Sequence, residues 1–294
     1  MHPGRVDAHQ HFWRLARGDY DWLDQGDPAL APLARDFEPD DLAPLRRANG
    51  IGRTVLVQAA ATMEETEHLL ALADGHPEIA GVVGWIDLSD PGRLPVLERW
   101  ALHPAFKGVR PMLQDLPDTE WIVHGPHPAM VQALIERGLR LDALVKPPHL
   151  AALTRFVERW PELKVVIDHA AKPALREGWQ AAWVAPWRTG LAELAAHPQV
   201  CCKFSGLLTE AAPEQIPSPG AAQDLITPVW EELLRQFGPE RLMWGSDWPV
   251  LNLAADYGRW ADIAGRFIDL LPLPDRQAVW GGTAEAFYQL GRPS

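Results

Sequence analysis

Residues 224–248 read DLITPVWEELLRQFGPERLMWGSDW and hold one repeat of the fold. From 224 to 237 the apolar positions Leu225, Ile226, Val229, Trp230, Leu233, Leu234 and Phe237 recur at helical spacing and mark one helix face. Thr227 suits the cap of this helix and Pro228 its first turn. Beyond Gly238 the pattern changes. The run 241–248 is short, apolar and β-prone, and it closes on Asp247. A helix leading straight into a buried strand is the signature of a crossover between parallel strands.

The same alternation extends in both directions. Further β-prone runs lie at 5–12, 53–59, 81–88, 106–112, 139–145, 163–170 and 200–207. Helical segments fall between them at 64–75, 89–100 and 126–138, punctuated by Gly75, Asp90–Pro91 and Gly138. Eight strand candidates alternating with helices predict a single α/β domain over 1–294, a (β/α)8 barrel with its active site at the C-terminal rim. An open doubly wound sheet is the competing architecture. Against it, no G-x-G-x-x-G follows the first strand, and no P-loop motif occurs. The turn-rich segments 14–36 and 208–223 follow the first and seventh strands and are expected to build and cover the site.

A net charge of −12 disfavours nucleic acid as a partner. No apolar run reaches the ~20 residues of a membrane span. The N-terminal residues lack a signal-peptide core, so the expected compartment is the cytoplasm. Adjacent Cys201 and Cys202 cannot form a disulfide framework and are expected to be reduced, one facing in and one out. The expected partner is a small molecule, and a homo-oligomer is an allowed assembly.

In a barrel, polar residues at strand C-terminal ends need a function or a partner. On the first strand, His9 and His11 share a face because side chains alternate. Simple alternation puts Asp7, His9 and His11 inward, and Val6, Ala8 and Gln10 outward. Two imidazoles on one face can hold a metal or a ligand oxygen, or can be structural. Asp168 and His169 end the sixth strand on opposite sides, so one of them faces the barrel, and Lys172 follows in the loop. Lys203 stands among apolar residues of the seventh strand, where it can pair with a carboxylate or polarise a carbonyl. Asp247 closes the eighth strand as a base or as a helix cap. Lys107 and Arg110 lie on the fourth strand; Lys146 and His149 follow the fifth.

The runs VDAHQHFW, RPMLQDLPDTEWI, VIDHAAKP, CKFSGL and RLMWGSDWPV resemble the sugar-lactonase branch of the amidohydrolase superfamily, from about residue 5 to 290. The resemblance implies hydrolysis of a sugar-derived aldonolactone, such as L-fuconolactone or L-rhamnonolactone. It implies Asp247 as general base, with His9, His11 and His169 stabilising the oxyanion directly or through a metal, and Arg110 contacting substrate. Binuclear members place a bridging lysine or glutamate on strand 4, whereas this chain presents Arg110, which stays protonated. One divalent ion, zinc foremost, on His9, His11, His169 and Asp247 fits the pattern, as does no metal at all. Lys203, Gln58 and Gln114 are candidate substrate contacts, and Trp13, Trp85 and Trp248 are candidate stacking surfaces. No G-x-S-x-G occurs, so a serine nucleophile has no support. A zinc-dependent decarboxylase of the same superfamily, a lactone isomerase and a silent sugar-binding barrel are the competing readings.

Overall fold

Each β-branched run becomes a strand because it pairs in parallel with the next. The computed structural model describes residues 4–24 and 26–291. Its strands are β1 (Arg5–Gln10), β2 (Ile51–Val57), β3 (Ile79–Gly84), β4 (Phe106–Val109), β5 (Arg140–Ala143), β6 (Lys164–Ile167), β7 (Val200–Phe204) and β8 (Leu242–Trp244). They form one eight-stranded sheet in chain order. At the upper rim β8 returns to β1. His11 N–H donates to the Trp248 carbonyl and Asp247 N–H to the His9 carbonyl, both at 2.8 Å. The expected (β/α)8 barrel is the observed fold. Residues 1–3 and 292–294 of the expected 1–294 domain lie outside the described residues.

The helices are α1 (Pro39–Ala48), α2 (Met63–Gly75), α3 (Leu94–Ala101), α4 (Trp121–His124), α5 (Pro128–Glu136), α6 (Leu150–Arg159), α7 (Val184–Ala195), α8 (Pro219–Phe237), α9 (Tyr257–Ile268), α10 (Leu273–Gln277) and α11 (Thr283–Tyr288). The cap of helix α8 lies nine residues before the expected one. Ser218 Oγ accepts from Ala221 N–H at 3.2 Å and Pro219 opens the first turn, a stronger start than Thr227–Pro228. Thr227 instead bonds the Gln223 carbonyl at 2.9 Å, and Pro228 sits inside the helix. The expected loop 208–223 therefore gives up its last residues to α8.

Two apolar layers surround the strands. Leu56, Val82, Ile167, Cys202, Phe204 and Trp244 face the helices. Val6, Ala8, Val55, Val57, Val83 and Met243 pack inward. Phe287, Tyr288 and Leu290 at the chain's end join this inner cluster and form the barrel floor. Cys201 and Cys202 are both free and buried, split between the inner and outer layers.

Candidate active site

The simple alternation expected for β1 is broken. A register shift lies between Asp7 and Gln10, so the strand changes phase at the rim. Val6 and Ala8 face inward, contrary to expectation, and Asp7 faces outward. Its carboxylate accepts from Ser246 N–H at 2.8 Å, from His9 N–H at 3.2 Å and from the Tyr257 hydroxyl of α9 at 3.0 Å. Gln10 donates to Thr54 Oγ1 at 3.2 Å, in the outer layer. The bulge leaves His9 and His11 both pointing into the barrel mouth. Gly245 leaves room for this: a Cβ there would lie 2.8 Å from His9 Cβ.

Both Asp168 and His169 reach the site, where simple alternation allowed one. The chain from His169 to Lys172 runs through four residues with φ between 47° and 59°, a left-handed turn. Non-glycine residues adopt it at a cost of about 1 kcal/mol or more each, and such strain concentrates at functional sites. The turn swings the His169 ring back over the rim. Its Nδ1 meets Ser205 Oγ at 2.9 Å, and it rests against Gly206, whose Cβ would approach Nδ1 to 2.5 Å.

Four groups converge. His9 Nε2 lies 3.2 Å from His11 Nε2 and 3.7 Å from Asp247 Oδ1. Asp247 Oδ1 lies 3.3 Å from His11 Nε2 and 3.7 Å from His169 Nε2. His11 Nδ1 is 2.8 Å from the Val57 carbonyl, which can only accept, so its proton sits on Nδ1 and Nε2 offers a lone pair. Burial drives the ring pKa values down: His9 lies well below its ordinary value, His11 is lowered, and His169 is pushed down to about 4. Asp247 is buried too, which alone would raise it, but His169 and the bond to His11 outweigh burial and hold it below the usual carboxylate range. At neutral pH the site therefore presents an ionised carboxylate ringed by neutral imidazoles.

This donor set fits a divalent ion. Ligand atoms of His9, His169 and Asp247 lie within 4.8 Å of one another. The spacings of 3.2–3.7 Å bracket the edge of a tetrahedron with zinc-to-nitrogen bonds, about 3.3 Å. His11 stands beside this group, within reach of His9 and Asp247. Arg110 is the resident cation: its Nη1 lies 3.4 Å from His9 Nε2 and 3.5 Å from Asp168 Oδ2.

Beneath the rim lies a buried ion network. Lys203 Nζ contacts Asp142 Oδ2 at 2.6 Å, Asp168 Oδ1 at 3.0 Å and His9 Nδ1 at 3.0 Å. Asp168 Oδ1 is also 3.3 Å from His9 Nδ1. Lys203 is wholly buried, paired with Asp142 and Asp168 beside the His9 ring, so it braces His9 from below and does not line the cleft.

Above the four groups opens a cleft of about 220 Å³, lined by His11, Arg110, His169 and Asp247. It is below the ~300–1,000 Å³ of drug-sized pockets and suits a ligand of monosaccharide size. Gln114 also lines it, with its Oε1 lacking a partner among the described residues. Gln58 does not: its side-chain amide donates to the Arg110 backbone carbonyl at 2.8 Å, and its backbone carbonyl accepts from Arg110 Nη2, so it cradles the arginine. Trp13, Trp85 and Trp248 do not line it either; the ring at the cleft is Trp22. Lys172 and Asp115 line it as well and were not picked out as site residues from sequence. Lys172 Nζ faces Glu210 Oε1 at 3.6 Å. Lys107 bonds the Gln289 carbonyl at 3.2 Å, on the floor side, and His149 Nδ1 accepts from Lys146 N–H at 3.2 Å as a local cap.

A (β/α)8 barrel that gathers three histidines and an aspartate at its C-terminal rim has the architecture of a hydrolase built around activated water. Residues 6–290 match the amidohydrolase family, and the chain belongs to that family. It is 44% identical to an L-fucono-1,5-lactonase of Burkholderia ambifaria, over 99% of this chain and 97% of the relative. It is 40% identical to an L-fucono-1,5-lactonase of Burkholderia multivorans over the same shares. Among solved structures, an amidohydrolase from Burkholderia multivorans with bound zinc superposes with a TM-score of 0.88 at 40% identity, covering 98% of this chain and 99% of that one.

Proposed function

We propose that this chain hydrolyses a sugar-derived 1,5-lactone to the open-chain sugar acid. The observation that carries the reading is the convergence at the cleft of Asp247 Oδ1 with His11 Nε2 at 3.3 Å and with His9 Nε2 and His169 Nε2 at 3.7 Å. The names of its two lactonase relatives support the substrate class.

Asp247 orients a water against the lactone carbonyl and takes its proton. Charge then develops on the carbonyl oxygen. His11 cannot donate to that oxygen while its proton is held by Val57, so this imidazole acts through its lone pair. Arg110, buried and permanently charged, lines the cleft as a donor beside these imidazoles. The protonated Asp247 returns its proton to the ring oxygen as the carbon–oxygen bond breaks. His9, His169 and Asp247, with His11 beside them, would hold a zinc ion, as the zinc-bound relative supports. When bound, zinc supplies Lewis-acid polarisation and lowers the pKa of water.

Asp247→Asn is expected to lower kcat on an aldono-1,5-lactone by ~10²-fold or more with the circular dichroism spectrum unchanged. Near wild-type turnover would refute the assignment. Zinc added to chelator-treated protein is expected to raise Tm, and His9→Ala to remove that rise. An equal rise in both proteins counts against the ligand set.

A further inference from the structure

The loop after β1 carries one aromatic ring to the cleft. Trp22 is 36% exposed, while Trp13 and Trp248 are buried. Its indole N–H donates to the Ala59 carbonyl at 2.8 Å, and Ala59 also lines the cleft. Ala59 N–H is held in turn by Glu65 Oε1 at 2.6 Å. The Trp22 edge is therefore pinned to the end of β2.

Behind Trp22 runs a ladder of rings. Trp22 meets Trp13 at 5.6 Å and 86°; Trp13 meets Phe37 at 5.3 Å and 78°; Phe37 meets Trp248 at 5.2 Å and 88°. Each is an edge-to-face contact at favourable separation. The ladder ends on the residue next to Asp247. Trp13 is further fixed by its N–H on the Arg35 carbonyl at 2.9 Å. Trp13 and Trp248 thus brace the outermost ring in a fixed relation to the base. The same cleft presents Gln114, Asp115 and Lys172, which suit hydroxyl groups. A sugar-derived ring has one face richer in C–H groups and several hydroxyls around it, which matches one aromatic platform among polar side chains.

We propose that Trp22 is a specificity-determining residue: it stacks on the C–H-rich face of the lactone ring and selects among epimers. This rests on the lactone-hydrolysing reading above. An epimer with a hydroxyl on that face would bury it against the indole without a hydrogen bond, a cost a flat aromatic surface cannot offset. Trp22 takes no part in proton transfer, so its effect belongs in KM and in the epimer ratio rather than in kcat.

The test measures kcat and KM for a series of aldono-1,5-lactones epimeric at single ring carbons. Wild type is compared with Trp22→Phe, which keeps a flat ring, and Trp22→Leu, which keeps apolar bulk over Trp13. Trp22→Leu is expected to raise KM for the preferred epimer about 3–10-fold. Its kcat should stay within about threefold, and the epimer preference should shrink by the factor seen in KM; Trp22→Phe should retain most of both. Calorimetric binding of the corresponding aldono-1,5-lactams, which keep the ring and resist hydrolysis, gives a readout free of turnover. Wild-type protein that binds a lactam without hydrolysing any lactone overturns the lactonase reading alone. Trp22→Leu protein that binds the lactam as tightly as wild type, or that loses all epimers equally, overturns the Trp22 assignment alone.

Discussion

At the residue scale, the reactive groups were legible because their chemistry is conspicuous. Histidines, an aspartate and an arginine at the ends of apolar runs have few inexpensive places to go. Their supports were not legible, because support is a matter of contact across the barrel. Ser205 and Gly206 sit in an ordinary-looking run, yet together they seat the His169 ring. Gly206 has φ +60°, and an added methyl meets His169 Nδ1. Gly206→Ala should therefore lower kcat at least tenfold while leaving the fold intact by circular dichroism. Lys203 carried a different expectation, that of a substrate contact. Buried against Asp142 and Asp168, it balances two carboxylates that have left water. Lys203→Met is expected to destabilise the chain by about 3–5 kcal/mol in urea unfolding, because uncompensated charge remains behind. A loss under 1 kcal/mol would contradict the pairing.

At the scale of elements, the helices and strands followed from apolar spacing, and departures came where local geometry broke the period. The β1 bulge changed which of Asp7 and Ala8 faces inward, and no two-residue rule can foresee a bulge. The left-handed turn after β6 brought both Asp168 and His169 to the site by leaving the strand early. The loop after β1 has no period, so Trp22 was indistinguishable from the other tryptophans in its neighbourhood. The β2–α2 connection has its own signature in pH. The Glu65 carboxyl at the start of α2 is pushed up to about 7, chiefly by burial, against the lowering effect of its bond from Ala59 N–H. Between the ordinary 4.5 and about 7, the folded chain keeps a proton the unfolded chain has lost. The contribution to stability is thus greatest at low pH, falls as pH rises through this window, and is flat above it. Glu65→Gln can still accept from Ala59 and carries no charge. It should flatten the slope of Tm against pH across that window and raise Tm at alkaline pH; an unchanged slope would point to another group.

At the scale of the whole molecule, the number of strand candidates and their alternation with helices were enough to name the barrel, since few other arrangements accept eight such units. None of the described helices is long and apolar enough to cross a membrane. The way the barrel is closed below could not be read from alternation. The Tyr288 hydroxyl donates to Asp142 Oδ2 at 2.7 Å, so the floor reaches the charged network that holds Lys203 and, through it, His9. Tyr288→Phe should cost about 1.5–3 kcal/mol of stability in chemical denaturation, the worth of one hydrogen bond to a charged acceptor, while Lys203 still donates to the same oxygen.

That floor also bears on how the fold is reached. Val6 and Ala8 on β1 share one cluster with Val55, Val57 and Val83 of the next strands and with Phe287, Tyr288 and Leu290, far along the chain. The inner core is completed only by contacts spanning almost the whole described chain, a topology that closes slowly. Strand pairing alone cannot seal the barrel; a distant segment has to find β1 and plug the interior before the charged network above it is shielded from water.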